Sequence, residues 1–253
     1  MYKADGLTAI AGALPMEVAG VKALGSFRKA RAGRLEYYQG DIRGKGVAVF
    51  VSGIGGDGAY HTAESACDAL PLVAYISVGL SASLSASLKP GDVVAGESTT
   101  ALASKGGLQE NRLYNSDARL LGIAREALAG EGGVRFGGLI ASERVLVKAS
   151  DKRAVAASSG ALALDMETCG AAMAASEAGV PFLAIRAISD GLDEDLPVDF
   201  GRFTVEGNMN WPSFLVHVLT HPGCIPPLMR LGRNSRVAAK NIAMAVEKLV
   251  IIV

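Results

Sequence analysis

The segment PFLAIRAISD, residues 181–190, is apolar at almost every position until it ends in a serine and an aspartate. A strand with one solvated face alternates apolar and polar residues, whereas a near-continuous apolar strand is covered on both faces. Such a strand needs helices on both sides of its sheet, and the rest of the chain supplies them. Short apolar runs at 7–14, 72–79, 92–95, 136–143 and 161–166 alternate with segments of helical composition. Those helices are predicted from Pro15 or Met16, over 58–69, 117–130 and 150–160, and over 168–179 with Gly179 as a left-handed cap. RLEYYQGDIRGKGVAVFVSG, 34–53, reads as a hairpin turning between Gly40 and Gly46. The expected fold is α/β, with three α/β/α layers around a central mixed sheet. There is no internal repeat and no low-complexity linker. Residues 1–253 therefore read as one domain with a helical C-terminal extension from about 205.

Composition removes several functional classes. The 253 residues are 50% apolar, with 25 basic side chains balancing 25 acidic ones, so neither disorder nor a nucleic-acid partner is expected. Cys67, Cys169 and Cys224 stand far apart, and His217 and His221 have no third ligand nearby, so no metal site is expected. The opening MYKADGLTAIAGALP is too polar for a signal segment, and unpaired thiols suit a reducing compartment; the expected location is the cytoplasm. ALPLVAYISVGLSASLSASL, 69–88, is twenty residues without a charge. Its proline, glycine, serines and β-branched residues favour a buried strand and a small-residue loop over a membrane span.

Gly53-Ile-Gly55-Gly-Asp-Gly58 fits G-x-G-x-x-G after an apolar run. A dinucleotide fingerprint needs a carboxylate roughly 20 residues later. The chain from Ala69 to Gly91 contains no Asp or Glu. What remains is a strand, a glycine turn and a helix start whose N–H groups can meet something electron-rich. Ligands in such sheets sit beyond the carboxyl ends of strands. That rule selects Glu17, the Ser52–Gly58 turn, the Val78–Ser83 loop, Asp165-Met166-Glu167 and Ser189-Asp190. A carboxylate ending an apolar strand is poorly solvated, which raises its pKa toward neutrality and makes it a candidate acid or base. Each one alone also fits a helix cap or a surface ion pair.

Taken together, these residues resemble a known family. GALPMEV (12–18), SGIGGDGA (52–59), LKPGDVV (88–94), GLIASERVLV (138–147), LDMETCGAA (164–172) and VPFLAIRAISD (180–190) follow in order the signature segments of the purine nucleoside phosphorylase and nucleosidase family. Methylthioadenosine/S-adenosylhomocysteine nucleosidases are its most similar common members. The resemblance implies cleavage of an N-ribosidic bond. It gives Asp190 the place of the acid that protonates the departing purine, and such an acid must hold its proton near neutrality. Glu17 takes the place of the group that orients the attacking water. Glu167 matches the carboxylate that grips the ribose diol, with Met166 against the sugar and Asp165 beside them. Ser52, Gly53 and Ile54 wall the sugar, Gly79 and Ser81 lie in the nucleophile loop, and Val147 and Leu146 lie at the purine. Ser189 and Arg186 support the rest. No cofactor is implied beyond phosphate as a candidate co-substrate.

The departures are specific. The nucleophile loop reads Val78-Gly-Leu-Ser-Ala-Ser83, so Leu80 replaces a hydroxyl that Ser81 or Ser83 must supply. Ser77 stands where phosphate-using relatives carry arginine, and Leu146 stands where an aromatic ring often stacks on adenine. After Asp190 the chain resembles hopanoid-associated phosphorylases, chiefly through HPGCIPPLMRL. That likeness implies adenosylhopane as substrate, adenine as product and a role in hopanoid biosynthesis. Arg230, Arg233, Arg236 and Lys240 recur at helical spacing, which fits anionic lipid at the inner membrane or simply a solvated face. Trp211 reads as a packing anchor. The implied partners are a small-molecule or lipid nucleoside and further copies of the chain, as a homodimer or larger homo-oligomer. The other readings are an ordinary methylthioadenosine/S-adenosylhomocysteine nucleosidase or purine nucleoside phosphorylase, and a non-catalytic nucleoside-binding protein.

Overall fold

The computed structural model describes residues 6–102, 112–205 and 207–253. The chain runs β1 (Leu7–Gly12), α1 (Pro15–Lys22), β2 (Ser26–Ala32), β3 (Leu35–Ile42), β4 (Lys45–Val51) and α2 (Gly56–Ala69). β5 (Leu72–Ser83), β6 (Val93–Ala101), β7 (Leu113–Asn115), α3 (Ala118–Ala127), β8 (Val134–Ala141) and α4 (Ala149–Ser159) follow. The last part holds β9 (Ala163–Asp165), α5 (Thr168–Glu177), β10 (Phe182–Asp190), the short pair β11 (Thr204–Val205) and β12 (Asn208–Met209), α6 (Trp211–Thr220) and α7 (Ile225–Val250). One mixed sheet carries ten of these strands. Its open half is ordered β2-β3-β4-β1-β5, and its other half closes into a ring, β5-β10-β6-β8-β9, with β9 returning to β5.

β10 shows why the sheet needs two helical layers. Leu183, Ile185 and Ala187 pack with Val18 and Val21 of α1, Leu120 of α3 and Ile242, Val246 and Leu249 of α7. Phe182, Ala184 and Ile188 point the other way, into Ala59, Ala63 and Ala66 of α2 and Ala171, Ala174 and Ala175 of α5. All nine residues of the strand are buried, as its apolar pattern predicts.

The alanine-rich helices α2 and α5 approach closely. A Cβ on Gly170 would lie 2.1 Å from the Gly56 carbonyl oxygen, so only glycine lets the start of α2 rest on the first turn of α5. At its other end α5 stops where expected. Gly179 has φ +66°, its N–H meets Ser176 O and the Val180 N–H reaches Ala175 O, which is a Schellman ending.

Three departures from the expected elements have physical reasons. β2 was not foreseen, because SFRKARA is a charged edge strand with no buried residue. β5 does not stop at 79 but extends to Ser83, since its small residues pair with β9 and β10 on both sides. Residues 69–88 thus form mainly a core strand, and no described helix is long and apolar enough to cross a membrane. Trp211 is no packing anchor: it is 66% exposed, on a helix with no buried residue.

Candidate active site

Topology brings the selected carboxylates together. At the end of β5, Ala82 pairs with Leu164 of β9 on one side and with Asp190 of β10 on the other. Asp165-Met166-Glu167 leaves β9 into α5, while α1 starts just beyond β1, the other neighbour of β5. Alternation along β5 puts Ser77, Gly79 and Ser81 on one face. A Cβ on Gly79 would stand 3.4 Å from Glu17 Oε1 and 3.5 Å from the Arg186 guanidinium carbon, so this face looks into the carboxylate cluster.

Glu17 is 4% exposed in the first turn of α1. Its Oε1 accepts from Leu80 N–H and its Oε2 from Leu14 N–H, each at 2.9 Å. Burial pushes its pKa up, against the pull of those N–H groups and of Arg186. Glu167 Oε1 accepts from Gly55 N–H at 2.8 Å, so the glycine turn meets a carboxylate of its own chain. Burial first, then the Asp165 and Glu17 charges, push the Glu167 carboxyl up to about 7, opposed by Gly55 N–H and Arg186. Two carboxylates poised upward beside one another can accept or hold a proton near neutrality.

Arg186 and Asp165 make the rigid floor. Arg186 donates to Asp165 Oδ2, to Ser77 O and Ile185 O at 3.1 Å each, and to Ser77 Oγ at 2.9 Å. Asp165 also accepts from Glu167 N–H, Thr168 N–H and the Thr168 hydroxyl. Ser77 thus receives an arginine from β10, whose donors turn inward.

Asp190 is 5% exposed, and its surroundings were not legible beforehand. Ser189 Oγ donates to Asp190 Oδ1 at 2.8 Å and lies 3.2 Å from Ser81 O. The ammonium of Lys152, which is 0% exposed, donates to Asp190 Oδ2 at 2.9 Å and to Gly191 O at 2.6 Å. The strand end around Asp190 is therefore not apolar throughout, as its sequence had implied: Asp190 is paired with the buried Lys152. The missed signal is the buried column Ala149, Lys152, Val155 of α4, whose three-residue steps put the lysine on the inward face. Among the described residues the Ser81 hydroxyl is buried without a partner, whereas Ser83 Oγ is held by Ser85. Of the two serines, Ser81 is the one with hydrogen-bonding capacity to spare.

The remaining candidates line the edges. Ser52 Oγ lies 3.0 Å from Gly53 O, and Ile54 N–H donates to Gly207 O at 2.9 Å, tying the glycine turn to the segment before α6. Val147 O accepts from Leu196 N–H, and Met166 is half-buried next to Glu167. Leu146 is turned into a small core with Leu84, Ile140, Val155 and Leu164, so its side chain packs rather than facing open space. The structure gathers Glu17, Gly79, Asp165, Glu167 and Arg186 in one cluster and Ser81, Ser189, Asp190 and Lys152 in an adjoining one.

Comparison with known proteins places the chain in a family. Residues 8–219 match the model of the phosphorylase superfamily. A 5'-methylthioadenosine/S-adenosylhomocysteine nucleosidase of Haemophilus influenzae (strain PittGG) is 30% identical over 206 residues, 77% of this chain and 90% of that protein. The nucleosidase of the same description from Shewanella denitrificans is 27% identical, covering 83% of this chain and 97% of its own. In fold, the chain superposes on the Neisseria meningitidis nucleosidase in complex with methylthio-immucillin-A with TM-score 0.78, at 22% identity and 98% and 99% coverage. It superposes on the futalosine hydrolase of Helicobacter pylori with TM-score 0.76, at 18% identity and 98% coverage of both chains. With its fold and its sequence in agreement, the chain belongs to the phosphorylase superfamily and is an enzyme of the nucleosidase and nucleoside phosphorylase kind.

Proposed function

We propose that the enzyme hydrolyses the N-ribosidic bond of an adenosyl nucleoside carrying a long apolar group on its 5′ side, of the adenosylhopane type, and releases adenine. Cleavage needs negative charge to leave on the base while positive charge gathers at C1′. Glu17, raised by burial, is the base that takes a proton from the attacking water. Glu167 grips the ribose 2′- and 3′-hydroxyls with Met166 against the sugar, and Asp190 faces the purine. Water is favoured over phosphate by the charges already in place. The buried cations among the described residues, Arg186 and Lys152, are each committed to an aspartate, and the other buried charges are carboxylates. A phosphate dianion would enter beside Glu17 and Glu167 without a free cation to hold it.

The long 5′ group rests on one observation. From 199 to 234 no described side chain is buried, although the segment is rich in large apolar residues. Trp211, Leu215, Leu219 and Met229 are 58–71% exposed. This surface is tied to the sugar wall through Ile54 and Gly207. With Arg202, Arg230, Arg233, Arg236 and Lys240 exposed around it, the same surface suits peripheral contact with an anionic membrane. The second reading, a methylthioadenosine/S-adenosylhomocysteine nucleosidase, is favoured by the 30% identical relative of that description.

The test is adenine release from 5′-methylthioadenosine, S-adenosylhomocysteine and an adenosine bearing a long 5′-alkyl chain, each with and without phosphate. Preference for the alkyl substrate and a 5-substituted ribose with a free C1 hydroxyl as product are expected. Activity confined to the two small thio-nucleosides selects the second reading, and the 5-substituted ribose-1-phosphate as product overturns hydrolysis.

A further inference from the structure

Lys152 is not required by packing. A buried ion pair is on balance no more stabilising than apolar residues of the same volume, because both charges leave water. An isosteric methionine or leucine on α4 would extend the small core formed by Val155 and Leu146. Instead the chain spends a lysine there, brings its ammonium to the carboxylate that faces the purine, and anchors the helix that carries it. Lys148 and the Ala149 N–H hold Asp195 at 2.8 Å each, and Arg153 holds Asp193 at 2.8 Å. Together with Lys152 on Asp190 and Gly191, these contacts lace α4 to the segment leaving β10. The side-chain type matters as well. An arginine keeps its proton under all conditions proteins meet, whereas a lysine in a buried site can give one up.

We propose that Lys152 is a positioning residue for the reaction, through which the departing purine receives its proton. The inference rests on the N-ribosidic reading above. As the C1′–N9 bond breaks, its electron pair passes into the purine; the Lys152 ammonium hands a proton to the Asp190 carboxylate and is left a neutral amine, and the carboxyl so formed passes its proton to N7 and returns to the carboxylate. Water supplies the new C1′–O bond and loses its proton to Glu17, and exchange with solvent restores both groups. Oδ1 of Asp190 is meanwhile steadied by the Ser189 hydroxyl.

Two substrates separate this role from a structural one. The first is whichever adenosyl nucleoside the wild-type enzyme cleaves. The second is a p-nitrophenyl riboside, whose leaving group departs as a stable anion and needs no acid. Lys152→Met is expected to lower kcat for adenine release about 10²–10³-fold, the range of general-acid assistance, with KM within about threefold. It should change p-nitrophenol release by less than about fivefold. Lys152→Gln, which keeps a hydrogen-bond donor but no transferable proton, should show the same split and serves if the methionine variant does not fold. Equal losses on both substrates, or wild-type adenine release in both variants, overturn the proposal. Absence of adenine release by the wild-type enzyme instead overturns the N-ribosidic reading.

Discussion

Arg186 and Asp190 stand four residues apart on the same buried strand, each locked in an ion pair, and the two pairs are built to different specifications. In the first, Asp165 is saturated and Arg186 nearly so, with four of its five N–H groups engaged. The guanidinium donates to four acceptors, and Asp165 accepts four hydrogen bonds, two at each oxygen. In the second, each Asp190 oxygen accepts one hydrogen bond from a described residue, which leaves lone pairs for a visitor. The saturated pair has no capacity to exchange partners, so it can only hold β5, β9 and β10 in register. The unsaturated pair uses a lysine rather than an arginine and sits at the strand end, where ligands approach. Two ion pairs of equal burial can thus divide the work between architecture and chemistry, and substitutions should separate them.

The largest effect is expected at the saturated pair. Arg186→Met strands a buried Asp165 and should cost about 3–5 kcal/mol of stability, the penalty for breaking a buried pair from one side. For a chain of this size that corresponds to a melting temperature lower by roughly 10 °C, read by thermal unfolding. A variant that unfolds like wild type would mean that the fork is not structural, and the division proposed here would collapse.

At the unsaturated pair the order of effects reverses. Asp190→Asn keeps an oxygen for the Lys152 ammonium, which also holds Gly191 O, so unfolding should shift by less than in Arg186→Met. Adenine release should fall about 10²–10⁴-fold, measured by absorbance of the freed base. If stability fell as far as in Arg186→Met while activity persisted, both pairs would be architectural.

The sequence made the first of these pairs partly legible and the second only by halves. The strand carrying both was clear, because nine apolar-dominated residues admit burial on two faces and nothing else. Asp190, Glu167 and Glu17 were legible because a carboxylate at the end of such a strand, or in the first turn of the helix after it, is conspicuous. Their partners were not, since those come from far away in sequence. Lys152 arrives from 38 residues upstream on a helix whose inward face is otherwise small and apolar. Arg186 could be seen on its strand, but not that Ser77, 109 residues before it, would absorb its donors. The charged edge strand β2 and the closure of the sheet through β9 were hidden for the same reason, because both depend on pairing rather than on local composition.

Glu167 sharpens the comparison through pH. Its carboxyl is raised from the ordinary 4.5 to about 7, so the folded state binds the proton more tightly than the unfolded chain. The resulting destabilisation is fully present above about 7 and absent below 4.5, and stability falls as pH rises through that window. Glu167→Gln cannot ionise and still offers an oxygen to Gly55 N–H. It should gain on the order of 1–2 kcal/mol over wild type at pH 8 and little at pH 4.5, in denaturant titrations at both pH values. Asp165, saturated by donors, should give no such gain when replaced by Asn. An equal response of the two variants would erase the distinction between floor and working group.

The smallest expected effect is at Ser81, on the polar face of β5 beside both pairs. Ser81 is 4% exposed and its buried hydroxyl is, among the described residues, unpartnered, which costs the folded protein stability unless a ligand completes it. Ser81→Ala should therefore leave the unfolding free energy unchanged or raise it by up to about 1 kcal/mol, opposite in sign to the usual loss at a buried hydrogen-bonded serine. With substrate bound the sign should invert. The lost contact should raise KM by about three- to tenfold at nearly constant kcat, the mark of an interaction made equally in ground and transition states. A fall in kcat with KM unchanged would instead place the hydroxyl at the nucleophile, where it would act only as the bond to the base breaks. A loss of stability without any kinetic change would assign Ser81 to the saturated floor with Ser77, and the polar face of β5 would then be architecture along its whole length.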